Sequence, residues 1–224
     1  RVTADGEPSE QRYWEVWDHT KPMVGTGDGV LAASVLDQLR RRVREYKVSD
    51  VPVGVFLSGG IDSSTNTALF SEGEGEPVRT FSIGYGDNQS YQSELPYARI
   101  IANQVGAKHH ELELNADHLL DFLPEMIRLQ DEPIADPVCI PLYYVSKLAR
   151  DNGTIVCQVG EGADELFWGY PYWKKVLYLQ KLSRLVGPAI VKRAAAGVLS
   201  QTKRQDHLLT EMLWRAGQSQ PMFW

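Results

Sequence analysis

An unbroken apolar run that ends in a Gly-Gly turn most constrains how this chain can fold. Residues 51–57 (VPVGVFL) carry no charged side chain, which is typical of a β-strand covered on both faces. SGGIDSS follows at 58–64, and a helical pattern continues from it to Phe70. Because a strand covered on both faces requires layers on both sides of its sheet, the sequence predicts an α/β fold.

Further strand patterns alternate with helical patterns along the chain. The strand patterns span 78–85, 108–114 and 154–160. The helical patterns span 31–47, 93–106, 116–130 and 138–151. Such alternation predicts a doubly wound parallel sheet with right-handed crossovers. In sheets of this kind ligands bind at the carboxyl ends of the strands, where the strand order reverses.

Composition and charge exclude several classes of protein. The 224 residues are 43% hydrophobic and 23% charged, which is ordinary globular composition. The net charge of −6 argues against general nucleic-acid binding, which uses basic surfaces. No apolar run approaches the ~20 residues of a membrane span. Two cysteines, Cys139 and Cys157, are too few for a disulfide scaffold or a zinc cage, and we expect a reducing, cytoplasmic compartment.

The sequence divides into three predicted parts: a polar, Gly-rich linker at 1–30, an α/β core at 31–173 and a helical extension at 174–224. The extension holds nine Lys and Arg and two acids, a net charge of +7, whereas the rest carries −13. This asymmetry is explained either by solvated helix faces or by a basic tail that packs on an acidic partner. The linker contains three aromatics that we expect to dock it onto a domain: Tyr13, Trp14 and Trp17.

The SGGIDSS segment has the composition of a phosphate-binding turn. Gly59 and Gly60 allow a tight turn, and the amides that open the following helix attract anions. Hydroxyl donors come from Ser58, Ser63 and Ser64. Asp62 would repel a phosphate unless a divalent cation lay between them, and Mg²⁺ is commonly held by carboxylates and phosphates. The alternative is a structural turn with Asp62 as a helix cap.

A second polar segment, GEGADELFWGY at 160–170, follows the fourth strand. It places three carboxylates within five residues: Glu161, Asp164 and Glu165. Acids this close on a purely structural turn would repel one another, so a functional role is favoured. The alternative is an acid-rich helix N-terminus stabilised by the helix dipole.

Both segments resemble known motifs. SGGIDSS looks like the pyrophosphate-binding loop of the ATP pyrophosphatases, and GEGADELFWGY resembles the matching segment of the glutamine-dependent asparagine synthetase family. Further matches occur in order and spacing across roughly residues 10–215: FSIG (81–84), Tyr-Ala-Arg (97–99), DEPIADP (131–137) and IPLYYVSKLAR (140–150). The resemblance implies an adenine nucleotide alpha-hydrolase-like sheet with strand order 3-2-1-4-5.

The family also implies a reaction. ATP adenylates the side-chain carboxylate of aspartate and releases pyrophosphate, and ammonia then attacks the acyl-adenylate to give asparagine and AMP. Ammonia comes from a separate N-terminal glutaminase domain, to which the 1–30 linker would lead. The resemblance further implies a homodimer of the full-length protein, and a charge-stabilising lysine in a segment beyond Trp224.

Residue roles follow from the same resemblance. Glu161 matches a residue beside the acyl-adenylate that assists proton removal from the nucleophile, and Asp62 with Asp164 would bind the Mg²⁺–pyrophosphate. Glu165 is expected to brace the loop. The nucleotide pocket would be lined by Leu57, the backbone of Ile83, Val159 and Gly160. Val159 departs from the family, because many members carry a serine at that position.

Two other functions remain open from the sequence. One is a relative that acts on another carboxylate, such as a β-lactam-forming synthetase or a polysaccharide-pathway amidotransferase. The other is a non-catalytic nucleotide-binding module. The adjacent His109 and His110 would face opposite sides of their strand, so we expect structural roles for both, and an inert thiol at Cys139.

Overall fold

The structure is a computed structural model. It describes residues 6, 9–86, 93–132, 134 and 136–174, together with single positions 177, 178, 181, 190, 194 and 197. Two compact units are found, the first formed by residues 1–59 and 64–158 and the second by 60–63 and 159–224. Most of the predicted helical extension, with its basic tail, lies outside the described residues. The three-part division proposed from the sequence remains a prediction.

The first unit contains a four-stranded parallel sheet with strand order β3-β2-β1-β4. The strands are β1 (Val53–Phe56), β2 (Arg79–Tyr85), β3 (Lys108–Leu114) and β4 (Val156–Gln158). In the register of β1, which is an inner strand, Val55 pairs with Thr80 on one side and with Gln158 on the other. The parallel α/β prediction is therefore confirmed, with the first four strands in the expected order. No fifth strand occurs among the described residues.

The helices occur where the patterns predicted them. They are α1 (Asp28–Glu45), α2 (Ile61–Ser71), α3 (Leu95–Gln104), α4 (Ala116–Leu129), α5 (Cys139–Asp151) and α6 (Ala163–Phe167), and a 3₁₀ turn spans Val16–His19. The fourth strand is shorter than predicted. Its expected first residue, Thr154, instead donates its backbone N–H to Ala149 O at the end of α5.

Helices cover both faces of the sheet in the first unit. On one face Val55 packs with Val43 of α1 and with Leu69 and Phe70 of α2. On the other face, Phe81 packs with side chains of α5. Burial of each large apolar side chain contributes roughly 1.5–3 kcal/mol, so these two clusters hold the sheet between its helices as the doubly wound fold requires.

The two adjacent histidines of β3 have structural surroundings. His109 Nδ1 lies 2.8 Å from Thr80 Oγ1, and its Nε2 lies 2.9 Å from Glu111 Oε1. The His110 ring stacks on Phe81, with centroids 5.3 Å apart. These contacts are the structural roles that the sequence led us to expect.

The aromatic residues of the predicted linker are exposed. Tyr13, Trp14 and Trp17 expose 97%, 58% and 76% of their surface. Trp14 stacks on His19 with centroids 5.8 Å apart. The docking contact expected for these rings is therefore not found in the described part of the chain. Among the same residues, no helix is both long and apolar enough to cross a membrane.

Candidate active site

The turn after β1 packs against the start of α3 in the first unit. Gly59 has φ +89°, and a Cβ added there would lie 2.7 Å from Tyr97 Cβ and 2.8 Å from Ala98 N. Both distances are shorter than a real Cβ contact, and the positive φ itself favours glycine. Ser58, just before it, is exposed. The fit explains why a glycine stands at position 59.

Two predicted nucleotide-pocket residues have their side chains in the core of the first unit. Leu57 is 1% exposed and packs with Ala98 of α3. Its backbone N–H donates to Phe81 O at 2.9 Å, and its carbonyl accepts a hydrogen bond from Ser82 Oγ. Ile83 packs at the edge of the α5 cluster. Both backbone groups of Leu57 are thus engaged within the protein. For Ile83, the backbone is the part that was predicted to contact the nucleotide.

The first turn of α2 contacts the segment after β4, and both belong to the second unit. Asp62 Oδ2 accepts a hydrogen bond from the backbone N–H of Ala163, the first residue of α6, at 3.1 Å. Ser63 is 6% exposed, and its Oγ donates to Gly60 O at 3.2 Å. The half-buried carboxylate of Asp62 thus caps the start of α6 with one oxygen.

Gly160 brings the two segments into backbone contact. A Cβ added at this position would lie 2.6 Å from Asp62 O and 3.0 Å from Ser63 Cα. Any side chain there would push the two backbones apart. Val159, which precedes it, is exposed. The structure therefore brings together Asp62, Ser63 and Gly160, three of the residues predicted from two motifs about 100 positions apart.

The acidic turn continues into the five-residue helix α6. Gly162 precedes the helix with φ +94°, and Trp168 ends it with φ +60°. The Gly169 N–H donates to Asp164 O at 3.0 Å, and the Asp164 carboxylate occupies the space that a Cβ at Gly169 would need. Glu161 is exposed. A glycine at 169 thus leaves the space in which the Asp164 carboxylate lies.

Glu165 has a partner within the same unit. The Tyr170 hydroxyl donates a hydrogen bond to Glu165 Oε1. This bond lowers the pKa of the Glu165 carboxyl and raises the pKa of Tyr170 to about 12. This hydrogen bond links Glu165 to the segment after α6, and the bracing role of Glu165 stays a prediction.

Comparison with known protein families shows which family contains both motifs. The asparagine synthase family model matches residues 34–222, which is most of the chain and includes both motifs. The chain belongs to the asparagine synthase family.

Individual asparagine synthetases agree with this family membership. The chain is 34% identical over 211 residues to the glutamine-hydrolysing asparagine synthetase 1 of Bacillus subtilis, covering 93% of this chain and 32% of that protein. It is 36% identical over 141 residues to the asparagine synthetase of Cricetulus griseus, covering 59% and 24%. The chain thus spans about a third or less of the length of these relatives.

A structural comparison finds a similar solved chain. The NH₃-dependent NAD synthetase of Campylobacter jejuni has a TM-score of 0.41 and 15% identity, over 84% of this chain and 93% of that chain.

The two motifs predict a magnesium site at Asp62 and Asp164 of this asparagine synthase family member. No group of three or more His, Cys, Asp or Glu side chains that could hold a metal is found in the described ranges. Mg²⁺ needs no such cage, because it is commonly held by one or two carboxylates together with substrate phosphates and water. Asp62 and Asp164 have the required chemistry, and the backbone bond to Asp62 Oδ2 fixes one of these carboxylates.

The hydroxyl of Ser64 is a further donor in the glycine-rich turn. Its Oγ is buried and has no hydrogen-bond partner within the described residues. A buried hydroxyl without a partner is uncommon, because the lost hydrogen bond costs about 1–3 kcal/mol. A bound acceptor such as a phosphate oxygen would satisfy it. The donor chemistry at Ser64, in the first unit, therefore fits the predicted anion.

Sequence reasoning missed two features near the acidic turn. It did not identify Tyr170 as the partner of Glu165, and it did not predict a left-handed backbone at Trp168. A signal in the sequence was the aromatic–glycine–aromatic string at 168–170, which does not specify a partner for either aromatic residue. Neither feature could be inferred from spacing alone, since both depend on how the turn folds back on α6.

Proposed function

We propose that the protein is an ATP-dependent amidoligase of the asparagine synthetase type. It would adenylate the side-chain carboxylate of aspartate with release of pyrophosphate, and ammonia would then displace AMP to give asparagine. The observation that carries the proposal is the hydrogen bond from the Ala163 N–H to Asp62 Oδ2. It joins a glycine-rich turn suited to phosphates with an acidic turn suited to proton transfer.

ATP would bind through the segment between β1 and α2. The amides of this turn and the positive end of the α2 dipole attract phosphate oxygens. The buried Ser64 Oγ, which has no hydrogen-bond partner within the described residues, supports a bound acceptor there. Pyrophosphate would be held by the residues of this segment that supply amides and hydroxyls: Ser58, Gly59, Gly60, Ser63 and Ser64.

Asp62 and Asp164 would hold Mg²⁺ together with the phosphates of ATP. When bound, the ion would neutralise the negative charge that builds up on the departing pyrophosphate. The protein contributes orientation, because the Ala163 N–H holds one oxygen of Asp62. Gly169 leaves room for the Asp164 carboxylate, and a larger residue there would displace it.

Glu161 would act in the second half of the reaction. The nitrogen lone pair of ammonia attacks the acyl carbon, the bond from that carbon to the AMP oxygen breaks, and the nitrogen becomes positively charged. A carboxylate nearby can accept the excess proton. Glu161 is exposed and lies one residue beyond Gly160, which contacts the backbone of Asp62 and Ser63. This position supports the role of proton acceptor.

Ammonia would come from a glutaminase domain. The Bacillus subtilis relative, of which this chain covers 32%, is named as a glutamine-hydrolysing enzyme, which supports glutamine as the source of the ammonia. The same nucleotide-binding residues would serve a relative that acts on another carboxylate. The acceptor carboxylate therefore has to be identified by experiment.

Exchange of labelled pyrophosphate into ATP tests the proposal. The full-length protein is incubated with Mg·ATP and a panel of amino and uronic acids, and label in ATP is measured. We expect exchange with aspartate, and formation of AMP and asparagine when ammonia is added. Exchange with a different acid would identify that acid as the substrate in place of aspartate. Formation of ADP and orthophosphate would contradict the mechanism, and nucleotide binding without any exchange would favour a non-catalytic module.

A further inference from the structure

The aromatic segment after α6 carries a hydroxyl that the proposed reaction does not use. The Tyr170 hydroxyl donates to Glu165 Oε1. Its ring stacks on Tyr172 with centroids 5.5 Å apart and meets Trp173 edge-on at 5.3 Å. Contacts with two rings restrict the rotation of Tyr170. The hydroxyl is therefore a donor held in a defined place beside the acidic turn.

The backbone that delivers Tyr170 to this place is strained. Trp168 has φ +60°, and it is the non-glycine residue with positive φ in the described part of the chain. Such a conformation is unfavourable for a bulky side chain and persists only where surrounding contacts fix it. One such contact is the edge-on packing of Trp168 on Trp173 at 5.2 Å. Strain of this kind near candidate functional residues suggests a positioning role.

Helix α6 is too short to hold its own orientation. It has five residues, and isolated helices of this length are unstable because nucleation is costly. At its start, the Ala163 N–H is bound by Asp62. At its other end, the fixed contacts are the turn at Gly169 and the bond from Tyr170 to Glu165. The acidic turn is thus fastened at two points.

We infer that Tyr170 is a positioning residue, which acts through Glu165 to hold Glu161 and Asp164 in the orientation that adenylation and amide formation need. The inference rests on the proposed function, because it explains how the acidic turn used in that reaction keeps its geometry. Tyr170 itself would touch no reacting atom. Its hydroxyl determines where α6 ends, and α6 determines where the Asp164 carboxylate lies.

Three single substitutions in the full-length protein separate the hydrogen bond from the ring. Tyr170→Phe removes the hydroxyl and keeps the aromatic contacts. Glu165→Gln keeps an acceptor for that hydroxyl, whereas Glu165→Ala removes it. Tyr172→Phe is the matched control, because no hydrogen bond of the Tyr172 hydroxyl is found within the described ranges.

Two measurements are made on each variant. The first is kcat and KM for ATP in pyrophosphate exchange. The second is hydrogen exchange of the backbone amides in the peptide covering 163–169, followed by mass spectrometry without substrate. For Tyr170→Phe we expect kcat to fall about 10-fold or more, as for loss of a hydrogen bond to a charged group. KM should change less than about two-fold, and amide exchange at 163–169 should accelerate.

The remaining variants test the coupling between the two side chains. Glu165→Gln should stay close to wild type, and Glu165→Ala should resemble Tyr170→Phe. The double variant Tyr170→Phe/Glu165→Ala should be no worse than the poorer single variant, because both remove the same interaction. Additive losses would show that the two residues act independently, and would overturn the inference.

Other results overturn it directly. One such result is that Tyr170→Phe and Tyr172→Phe give the same kcat and the same amide exchange. Another is that Tyr170→Phe accelerates amide exchange at 163–169 without lowering kcat. It could also accelerate amide exchange throughout the β1–β3 sheet, which would indicate general unfolding. If the wild-type protein shows no pyrophosphate exchange, the proposed function fails, whereas hydrogen exchange still decides whether Tyr170 orders the acidic turn.

Discussion

Asp62 Oδ2 accepts a hydrogen bond from the backbone N–H of Ala163, which lies 101 positions later in the chain, at 3.1 Å. The contact joins the first turn of α2 to the first residue of α6. Next to it, Gly160 lies against the Asp62 backbone so closely that no side chain fits between them. One carboxylate therefore links the two segments that carry the family motifs, and several expected outcomes depend on it.

Replacement of Asp62 should separate its charge from its hydrogen bond. Asp62→Asn keeps an oxygen that can accept from the Ala163 N–H but removes the negative charge. If Asp62 holds Mg²⁺ at the pyrophosphate, Asp62→Asn should abolish pyrophosphate exchange while the protein stays folded. Asp62→Ala should also loosen the acidic turn, seen as faster hydrogen exchange at the Ala163 amide. Wild-type exchange activity in Asp62→Asn would remove Asp62 from the proposed metal site.

Substitution of Glu161 should affect the second half of the reaction more than the first. Loss of a positioned proton acceptor typically lowers a rate by ~10²–10⁴-fold. Glu161→Gln should therefore retain part of the pyrophosphate exchange and lose most of the asparagine formed from ammonia. The two rates are measured on the same preparation of full-length protein. If both activities fell equally while ATP still bound, Glu161 would belong to the adenylation step instead.

A methyl group at Gly160 should disrupt the contact between the two motifs. The added Cβ would lie 2.6 Å from Asp62 O, so the backbones must move apart, and overpacking of this kind typically costs about 1–3 kcal/mol. We expect Gly160→Ala to lower both the free energy of unfolding and the affinity for Mg·ATP. Gly75→Ala is the control, because nothing lies within 4 Å of a Cβ at that position. Equal affinities in the two variants would contradict the close contact.

The stability of the fold should fall in mildly acidic solution. Burial lowers the pKa of His109 below its ordinary value, although Glu111 partly opposes the effect, and burial also lowers the pKa of His110. The unfolded state therefore binds more protons than the folded state at intermediate pH. This stabilisation is complete above the unfolded pKa of about 6.5 and is lost as the pH falls towards the lower folded pKa.

Denaturant unfolding between about pH 7.5 and 5.5 measures this effect. We expect the free energy of unfolding to decrease with falling pH in the wild type, and to decrease less steeply in His109→Asn, which keeps a polar partner for Thr80 and cannot take up a proton. An unchanged slope in His109→Asn would assign the pH dependence to other groups.

The overall architecture could be predicted from the sequence because it follows from short-range periodicity. Residues 51–57 carry no charged side chain, and Val53–Phe56 of this run form β1, an inner strand of the sheet, with Val55 fully buried. The glycines of SGGIDSS likewise indicate a turn, because few other residues accept a positive φ such as that of Gly59. Strand ends were less predictable, since Thr154 bonds to α5 instead of continuing the sheet.

The details of the candidate site depended on contacts between distant parts of the chain. The sequence by itself determined the parallel α/β fold, the two motifs and the residue types available for the proposed chemistry, because these depend on local patterns and composition. Only the tertiary structure decided that Asp62 binds Ala163, that Tyr170 binds Glu165 and that Trp168 adopts a left-handed backbone. The physical reason is that hydrogen-bond partners and strained torsions depend on how separate segments pack in three dimensions, and residue spacing along the chain does not specify this packing.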